Sequence, residues 1–215
     1  THSYTTGGYT LSFSGYENLV GGTEADTFAF SAGGSLAGSI NGSGGTDTID
    51  FSAYGSGVTV NLNTGSATGL AGGATGRITS VENIIGSVFD DTLTGNSGAN
   101  TFRGLGGNDT LTGLGGNDIY IFEDGFGVDT VVESTGGGTD RLDFSAVTNS
   151  LTLNINSASL MGGYSGNTIT LNGLTAEVLV GSTADDTFVF TAGGSFNGTI
   201  NGSNGNDTLD YNQYT

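Results

Sequence analysis

A nine-residue phrase recurs four times without a gap between Gly86 and Ile121, as GSVFDDTLT, GNSGANTFR, GLGGNDTLT and GLGGNDIYI. Each copy opens with glycine, carries Asp or Asn five places later and has an apolar residue two places beyond that. The spacing suits a chain that turns tightly on glycines, presents an oxygen ligand at the turn and then forms a short strand with one side chain inward. Because no residue separates the copies, each copy is expected to occupy an equivalent place in one stacked structure.

The overall composition favours the same kind of structure. The chain has 215 residues with 42 glycines and no proline, tryptophan or cysteine, and only 34% of its residues are hydrophobic. This is unusual for a packed two-layer core but ordinary for a solenoid, in which each coil buries a thin row of side chains. The absence of cysteine excludes disulfides and thiolate metal sites.

Short stretches in which apolar and polar residues alternate indicate strands throughout the chain, and no stretch has a helical apolar period over three turns. The clearest are residues 10–14, 27–31, 58–63, 151–155 and 168–171. Two strands per coil predict coils of about 18 to 22 residues. The predicted fold is therefore all-β, a right-handed parallel β-solenoid or β-roll with short strands and Gly/Asp-rich turns. An antiparallel sandwich or barrel is the alternative, but its two-residue hairpin turns differ from the six-residue glycine-rich turns seen here.

A second, longer repeat overlaps the first. Residues 19–54 return as residues 179–214 at a constant offset of 160 without a gap, so both copies are expected to form the same structural unit. The predicted organisation is a solenoid flank over 1–85, with the first copy from about residue 19, and a nonapeptide β-roll block over 86–121. A solenoid continuation over 122–178 and the start of the second copy over 179–215 follow.

The acidic turns are candidate calcium sites. Residues eighteen apart are expected at the same corner of successive coils, and two stacked carboxylates repel each other unless a cation lies between them. Calcium binds about six to eight hard oxygens, peptide carbonyls included, whereas magnesium requires strict octahedral geometry and zinc prefers Cys and His. Several Ca²⁺ ions are therefore expected. The candidate ligands are Asp91 above Asp109, Asn100 above Asp118, and loop oxygens around Gly104, Gly106, Gly113 and Gly115.

The Asp91/Asp109 corner is expected to bind better, because Asn100 removes one charge from the other corner. Looser copies of the turn add weaker candidates, for which ordinary turn capping by Asp is the competing explanation. They are Asp26, Asp47, Asp129, Asp140, Asp186 and Asp207.

The charge balance constrains the partners. Twenty-one acidic residues against three basic ones give a net charge of −18, which repels nucleic acid and anionic membranes. No apolar run reaches the ~18 residues needed to span a bilayer, so membrane insertion is not expected. Calcium is the predicted partner, together with tandem repeats in the same chain or further copies stacked end to end.

The central block resembles the RTX, or haemolysin-type, calcium-binding repeat family. The resemblance covers residues 78–134 and is carried by SVENIIGSVFDDTLTGNSGANTFRGLGGNDTLTG and LTGLGGNDIYIFEDGFGVDTVVES. It implies a parallel β-roll with calcium between the turns, in proteins that leave the cell unfolded and fold on meeting external calcium. The flanks resemble the long β-rich repeats of very large bacterial exoproteins. The chain departs from the family pattern at Phe89, Asn100, Leu105 and Leu114, and Asn100 replaces the ligand aspartate.

No catalytic site is predicted. His2 is the only histidine, and the arginines available to a polysaccharide-cleaving β-helix are Arg77, Arg103 and Arg141. Arg103 follows the strand residue Phe102 and is expected to face solvent in a surface ion pair.

The primary hypothesis is a calcium-rigidified structural segment, such as a stalk, fibre or matrix, of a large secreted or surface protein, located outside the cell or on its surface. The alternatives are a secretion and folding module attached to an enzyme or toxin, and a ligand-binding adhesin segment.

Overall fold

A computed structural model describes residues 2–6, 9–13, 17–70, 72–134, 137–156, 159–172 and 176–214 of the chain. Within these ranges the chain forms 23 strands and no helix, and no helix is present there that could cross a membrane. In chain order the strands are β1 (His2–Thr6), β2 (Tyr9–Phe13), β3 (Leu19–Val20), β4 (Asp26–Phe30), β5 (Ile40–Asn41), β6 (Thr48–Asp50), β7 (Thr59–Asn61), β8 (Ser66–Ala67), β9 (Ile78–Thr79), β10 (Asn83–Ile85), β11 (Thr92–Thr94) and β12 (Thr101–Arg103). They continue as β13 (Thr110–Thr112), β14 (Ile119–Glu123), β15 (Val128–Val132), β16 (Arg141–Ala146), β17 (Thr152–Ile155), β18 (Ser159–Tyr164), β19 (Asn167–Asn172), β20 (Val178–Val180), β21 (Thr187–Thr191), β22 (Thr199–Asn201) and β23 (Thr208–Gln213).

The strands stack in three sheets. Sheet I has the order β2-β1-β4-β6-β10-β12-β14-β16-β20-β22, and sheet II has the order β23-β21-β17-β18-β19-β15-β13-β11-β7-β8. Sheet III is the short set β3-β5-β9. Consecutive strands from β10 to β16 alternate between sheets I and II, so the chain winds as a parallel solenoid. The predicted all-β parallel fold is confirmed.

Coil length follows the sequence repeat. In the nonapeptide block, strand partners are separated by two nonapeptides, as in Asn83↔Thr101, Thr101↔Ile119 and Thr92↔Thr110. Outside the block the simple coils are slightly longer, for example between Thr27 and Thr48 or between Ile119 and Arg141. Much longer intervals, such as Arg141↔Val178, occur where a loop or hairpin is inserted into a coil.

The core is a pair of side-chain columns between the sheets. The three-residue strands β10, β12 and β13 bury only their middle residue, as period-two alternation requires. In sheet I the buried column includes Ile84, Phe102 and Tyr120, and the Phe102 and Tyr120 rings stack with centroids 5.1 Å apart. In sheet II the column includes Leu93 and Leu111. Each coil therefore buries little apolar area, and each relies on its neighbours for cover.

Three antiparallel hairpin regions interrupt the parallel stack, which sequence periodicity did not predict. β1 and β2 pair with each other and then with β4 at the end of sheet I. β7 pairs with β8, and β18 is antiparallel to both β17 and β19 within sheet II. Alternation alone cannot separate these strands from coil strands, because both kinds have period two. Ser14, the end of one predicted strand, lies outside the described residues.

The two copies of the long repeat have the same local structure. Leu19↔Ile40 and Thr27↔Thr48 in the first copy correspond to Leu179↔Ile200 and Thr187↔Thr208 in the second, each at the same sequence offset. The sheets nevertheless differ, because β4 and β6 belong to sheet I whereas their counterparts β21 and β23 belong to sheet II. One 160-residue period therefore spans a whole number of coils plus half a coil, so equivalent strands lie in different sheets.

The second copy has an uncovered coil. Ile49 is fully buried beneath β10, whereas its counterpart Leu209 in β23 is 57% exposed. The same contrast holds between Phe51, which is buried, and Tyr211, which is exposed. The difference arises because further coils cover the first copy, whereas no described strand lies over β22 and β23.

Matched substitutions at this repeat position test the stacking. Ile49→Ala is expected to lower the free energy of unfolding by about 2–4 kcal/mol, since it leaves a cavity in a closed core. Leu209→Ala is expected to cost less than about 1 kcal/mol, because its side chain is already solvated. Urea denaturation in millimolar calcium measures both values, and equal losses would contradict the stacking described here.

Candidate metal centre

The acidic residues occupy one position in a repeated six-residue turn. We number its positions 1 to 6, from the opening glycine to the Asp or Asn before the next strand. Residues at position 6 and their equivalents stack from coil to coil as two polar ladders, one preceding the strands of each main sheet. Ladder I consists of Asp26, Asp47, Glu82, Asn100, Asp118, Asp140 and Glu177, and ladder II consists of Asp91, Asp109, Asp129, Asp186 and Asp207.

Most ladder steps are hydrogen bonds from a backbone N–H to the carboxylate of the next coil. The exceptions are the step from Glu82 to Asn100, where Asn100 Nδ2 donates to Glu82 O over 2.9 Å, and the interval between Asp129 and Asp186, where β17, β18 and β19 intervene in sheet II. In ladder II, Asp91 N donates to Asp109 Oδ1 over 2.9 Å, and Asp109 N donates to Asp129 Oδ1 over 2.9 Å. In ladder I, Asn100 N donates to Asp118 Oδ1 over 2.7 Å, and Asp118 N donates to Asp140 Oδ1 over 2.9 Å. The predicted stacking of Asp91 on Asp109 and of Asn100 on Asp118 is therefore observed.

The looser copies join the same ladders. Asp26 N donates to Asp47 Oδ1 over 2.8 Å, and Asp186 N donates to Asp207 Oδ1 over 3.0 Å at the equivalent place in the second copy. Except for Asp207 in the uncovered coil, the position-6 candidates are almost completely buried, with exposed fractions of 0–3%. The wider spacing of these copies in the sequence does not prevent the bonds between adjacent coils.

Sequence reasoning missed two ladder members. Glu82 Oε2 accepts Asp47 N over 2.8 Å, and Glu177 Oε2 accepts Asp140 N over 2.8 Å. Neither residue ends a GxxxxD turn, so the nonapeptide pattern does not mark it. Counting back two nonapeptides from Asn100 would have found Glu82.

Position 1 must be glycine because the position-6 carboxylate fills the space beside it. A Cβ at Gly104 would collide with Asp109 Oδ2, and one at Gly113 would collide with Asp118 Oδ2. The predicted ligand positions Gly106 and Gly115 differ, since they are partly exposed at the outer part of their turns and have no such collision. The position-1 glycine is thus a packing requirement of the buried carboxylate.

The turns fall into two conformations. In closed turns the position-2 N–H donates to the position-6 side chain, as Ser87 N does to Asp91 Oδ2 over 2.6 Å and Ser182 N does to Asp186 Oδ2 over 2.7 Å. In open turns, position 2 is left-handed and position 4 is a glycine with positive φ. The open turns are those with Ser43, Leu105, Leu114 or Ser203 at position 2.

Open turns leave a carboxylate oxygen available. Among the described residues, Asp47 Oδ2, Asp109 Oδ2 and Asp118 Oδ2 are buried and have no hydrogen-bond partner, and all three belong to open turns. A buried carboxylate oxygen without a donor is costly unless a cation or proton meets it. Within the Asp91/Asp109 pair, the available oxygen therefore belongs to Asp109, because both oxygens of Asp91 are hydrogen-bonded.

The electrostatics of the ladders favour a bound cation. Burial, together with the neighbouring Asp91 and Asp90 carboxylates, raises the pKa of Asp109 to about 7. Burial likewise raises the pKa of Asp129 to about 8 and that of Asp118 to about 6, against the opposing effect of their backbone hydrogen bonds. A hard divalent cation is the chemistry that stabilises the ionised forms, and all-oxygen ligands suit calcium.

Arg103 and Arg141 do not neutralise the ladder carboxylates. Arg103 forms the predicted surface ion pair, with Glu123, and Arg141 pairs with Asp143 over 2.7 Å. Neither contact involves a ladder carboxylate. The residues present therefore fit calcium, which would be held by the free ladder oxygens and nearby turn carbonyls and would neutralise the stacked charge.

Comparisons with known families agree with the geometry. The family described as RTX calcium-binding nonapeptide repeat (4 copies) matches residues 83–131, and the family described as peptidase M10 serralysin C terminal matches residues 128–215. A comparison with curated proteins finds no match. Residues 83–131 thus match the RTX calcium-binding repeat family, and the match implies that this segment binds calcium. Domains of both kinds are typical of secreted bacterial proteins, which indicates an extracellular location.

Two glycine substitutions test the packing of the buried carboxylates. Gly104→Ala is expected to cost more than about 2 kcal/mol of stability and to weaken calcium binding, because its methyl group displaces the Asp109 carboxylate. Gly115→Ala is the control, since its Cβ would lie 3.8 Å from the nearest atom, Gly137 O. Its expected change is within about 1 kcal/mol. Chemical denaturation with and without calcium distinguishes them, and similar losses would rule out the collision as the cause.

The raised pKa values predict an acid-stabilised calcium-free chain. A carboxyl group whose pKa is about 7 or 8 when folded, against about 3.9 when unfolded, stabilises the fold at low pH. That stabilisation is lost as the pH rises through the folded value. In EGTA, unfolding stability is therefore expected to fall by several kcal/mol between pH 5 and pH 8. Asp109→Asn should flatten this slope, whereas Asp124→Asn, at an exposed site, should preserve it. A flat wild-type profile would contradict the burial argument.

Proposed function

We propose that the chain is a calcium-stabilised structural segment of a large secreted or surface protein, acting as a stalk, fibre or matrix rather than as an enzyme. The observation that carries this proposal is the return of the same coil in the second copy of the long repeat, with equal register and equal ladder bonds. A module that repeats in sequence and in structure is suited to building length.

The uncovered coil supports tandem stacking. Phe196, Ile200, Leu209, Tyr211 and Tyr214 help to line an open groove of about 440 Å³ at this end. Their first-copy counterparts are Leu36, Ile40, Ile49, Phe51 and Tyr54, which the following coils cover through β9 and β10. The surface therefore fits a coil with the sequence of residues 55–86, in the same chain or from a neighbouring copy stacked end to end.

Calcium would act as the folding signal. With a net charge of −18 and buried like charges in both ladders, the chain is expected to stay disordered in a calcium-poor cytosol. Sites of extracellular affinity, with Kd of about 10⁻⁴–10⁻³ M, would fill outside the cell and stabilise the folded state by mass action.

A second candidate function is a secretion and folding module attached to an enzyme or toxin in the same polypeptide. The match of residues 128–215 to the C-terminal family of serralysin peptidases favours it specifically. The parent reading frame discriminates between the two: further copies of the long repeat support the stalk, and a catalytic domain next to one block supports the module. A ligand-binding adhesin segment is less favoured, because the groove at the uncovered coil is better explained by repeat stacking.

An extended chain tests the structural proposal. Residues 55–86 are placed directly after Tyr214, where their counterparts follow Tyr54 in the first copy. Backbone amides of β22 and β23 are then expected to gain protection from hydrogen exchange, because the added coil covers Ile200 and Leu209. The control carries aspartate in the added segment at the positions of Ile78 and Ile84 and should give no protection. Equal exchange in both extended chains would refute coil-on-coil continuation.

A further inference from the structure

The turn that leads to Asp140 does not open with glycine. The backbone after β15 stacks on the turn of the preceding coil, with Gly113 N donating to Val132 O over 3.3 Å. The next residue, Glu133, therefore occupies the place above Gly113 that glycine holds in the nonapeptide copies. This place differs from the nonapeptide copies, in which the position-6 side chain of the same turn fills the space beside the opening glycine.

The Glu133 side chain lies where the ladder oxygen is free. A Cβ at Gly113 would collide at once with Glu133 Oε1, Asp118 Oδ2 and the Tyr120 hydroxyl, so these three atoms converge on one point beside the glycine. Ligand oxygens of Asp118, Glu133 and Asp140 lie within 4.8 Å of one another. Gly113 thus provides the space in which the Asp118 and Glu133 carboxylates meet.

The convergence contains an observation that points to a ligand. Asp118 is fully buried, and its Oδ2 has no hydrogen-bond partner although it faces two further carboxylates. Asp118 Oδ1 accepts Asn100 N, and Asp140 Oδ1 accepts Asp118 N, so the ladder bonds are already made with the other oxygens. The two ion pairs formed by Arg103 and Arg141 involve Glu123 and Asp143, outside this cluster.

Tyr120 orients the Glu133 carboxylate, which the nonapeptide pattern does not supply. It stands at position 8 of its nonapeptide, where the other copies have Leu or Phe, and its ring keeps the apolar role by stacking on Phe102. Its hydroxyl donates a hydrogen bond to Glu133 Oε1. This bond holds the Glu133 carboxylate against the inner side of the turn instead of releasing it to solvent.

We propose that Asp118, Glu133 and Asp140 form a divalent-cation site for calcium, completed by a Glu133 carboxylate from outside the repeat pattern and positioned by Tyr120. Three carboxylates with a free buried oxygen match the hard, oxygen-rich environment that calcium requires. Glu133 also restores the charge that Asn100 removes from this ladder. Ladder I, which has Asn100 instead of an aspartate in one coil, thereby gains the Glu133 carboxylate in another.

This inference rests on the calcium-binding function of the repeats and adds a ligand, Glu133, that the nonapeptide pattern does not specify. Terbium serves as the probe, because it takes the same oxygen ligands as calcium and emits when a nearby tyrosine is excited. The chain has no tryptophan, so tyrosine is the sensitiser. Tyr120 is the tyrosine hydrogen-bonded to a carboxylate of the proposed site.

The test combines calcium stoichiometry by equilibrium dialysis with tyrosine-sensitised terbium emission on the full chain. Glu133→Gln is expected to lose one bound calcium and most of the emission. Tyr120→Phe, which keeps the ring stacked on Phe102, should lose most of the emission and retain the fold. Tyr54→Phe is the matched control and should retain both signals, since the Tyr54 hydroxyl bonds to Gly34 O and not to a ladder carboxylate.

The outcomes separate this site from the general function. If the wild-type chain binds calcium and Glu133→Gln keeps the same stoichiometry and emission, the site is refuted and the calcium-stabilised repeat stands. If the wild-type chain binds no calcium, both fail together. If Glu133→Gln does not fold, Tyr120→Phe decides, because unchanged emission in that variant would also overturn the site.

Discussion

The structure depends on one interaction, the hydrogen bond from a buried backbone N–H to the carboxylate of the next coil. Strand pairing in this solenoid covers only two to six residues per strand, and the polar ladders continue the inter-coil bonding through the corners. The bond satisfies a backbone donor that would otherwise be buried without a partner. Its cost is a column of desolvated acids, which is why the pKa values of Asp109, Asp118 and Asp129 rise. The same backbone hydrogen bonds that join the coils therefore bury the carboxylates that need a cation.

The two turn conformations determine which of the buried carboxylates need a cation. Where position 2 is in an ordinary conformation, its N–H bonds to the carboxylate, as Ser87 does to Asp91, and the acid is satisfied within the protein. Where position 2 is left-handed, at Leu105 and Leu114, the carboxylate keeps a free oxygen. A leucine in this conformation carries a steric cost of about 1 kcal/mol or more. An arrangement in which strained turns coincide with free ligand oxygens is consistent with metal binding as the compensating interaction.

Much of this architecture is readable from the sequence, for particular physical reasons. The nine-residue period predicts which residues share a corner, and Asp91, Asp109 and Asp118 lie where that period places them. The long repeat predicts the shared register of β4 with β6 and of β21 with β23, because similar sequences aligned without gaps must turn at equivalent places. Periodicity does not predict the hairpins β1–β2 and β18–β19, since alternation is the same in parallel and antiparallel strands. It also misses Glu82, Glu133 and Glu177, which act through their position in the stack and not through a motif.

The most direct test of this account is far-UV circular dichroism during a calcium titration from EGTA to 10 mM at neutral pH, with magnesium as the control. If buried ladder carboxylates require a hard cation of calcium's coordination, the chain should pass from disordered to β-rich near millimolar calcium, and magnesium should not produce the change. A chain that is already β-rich in EGTA and indifferent to calcium would contradict the account. Strand stacking and hydrogen bonding alone would then hold the solenoid together.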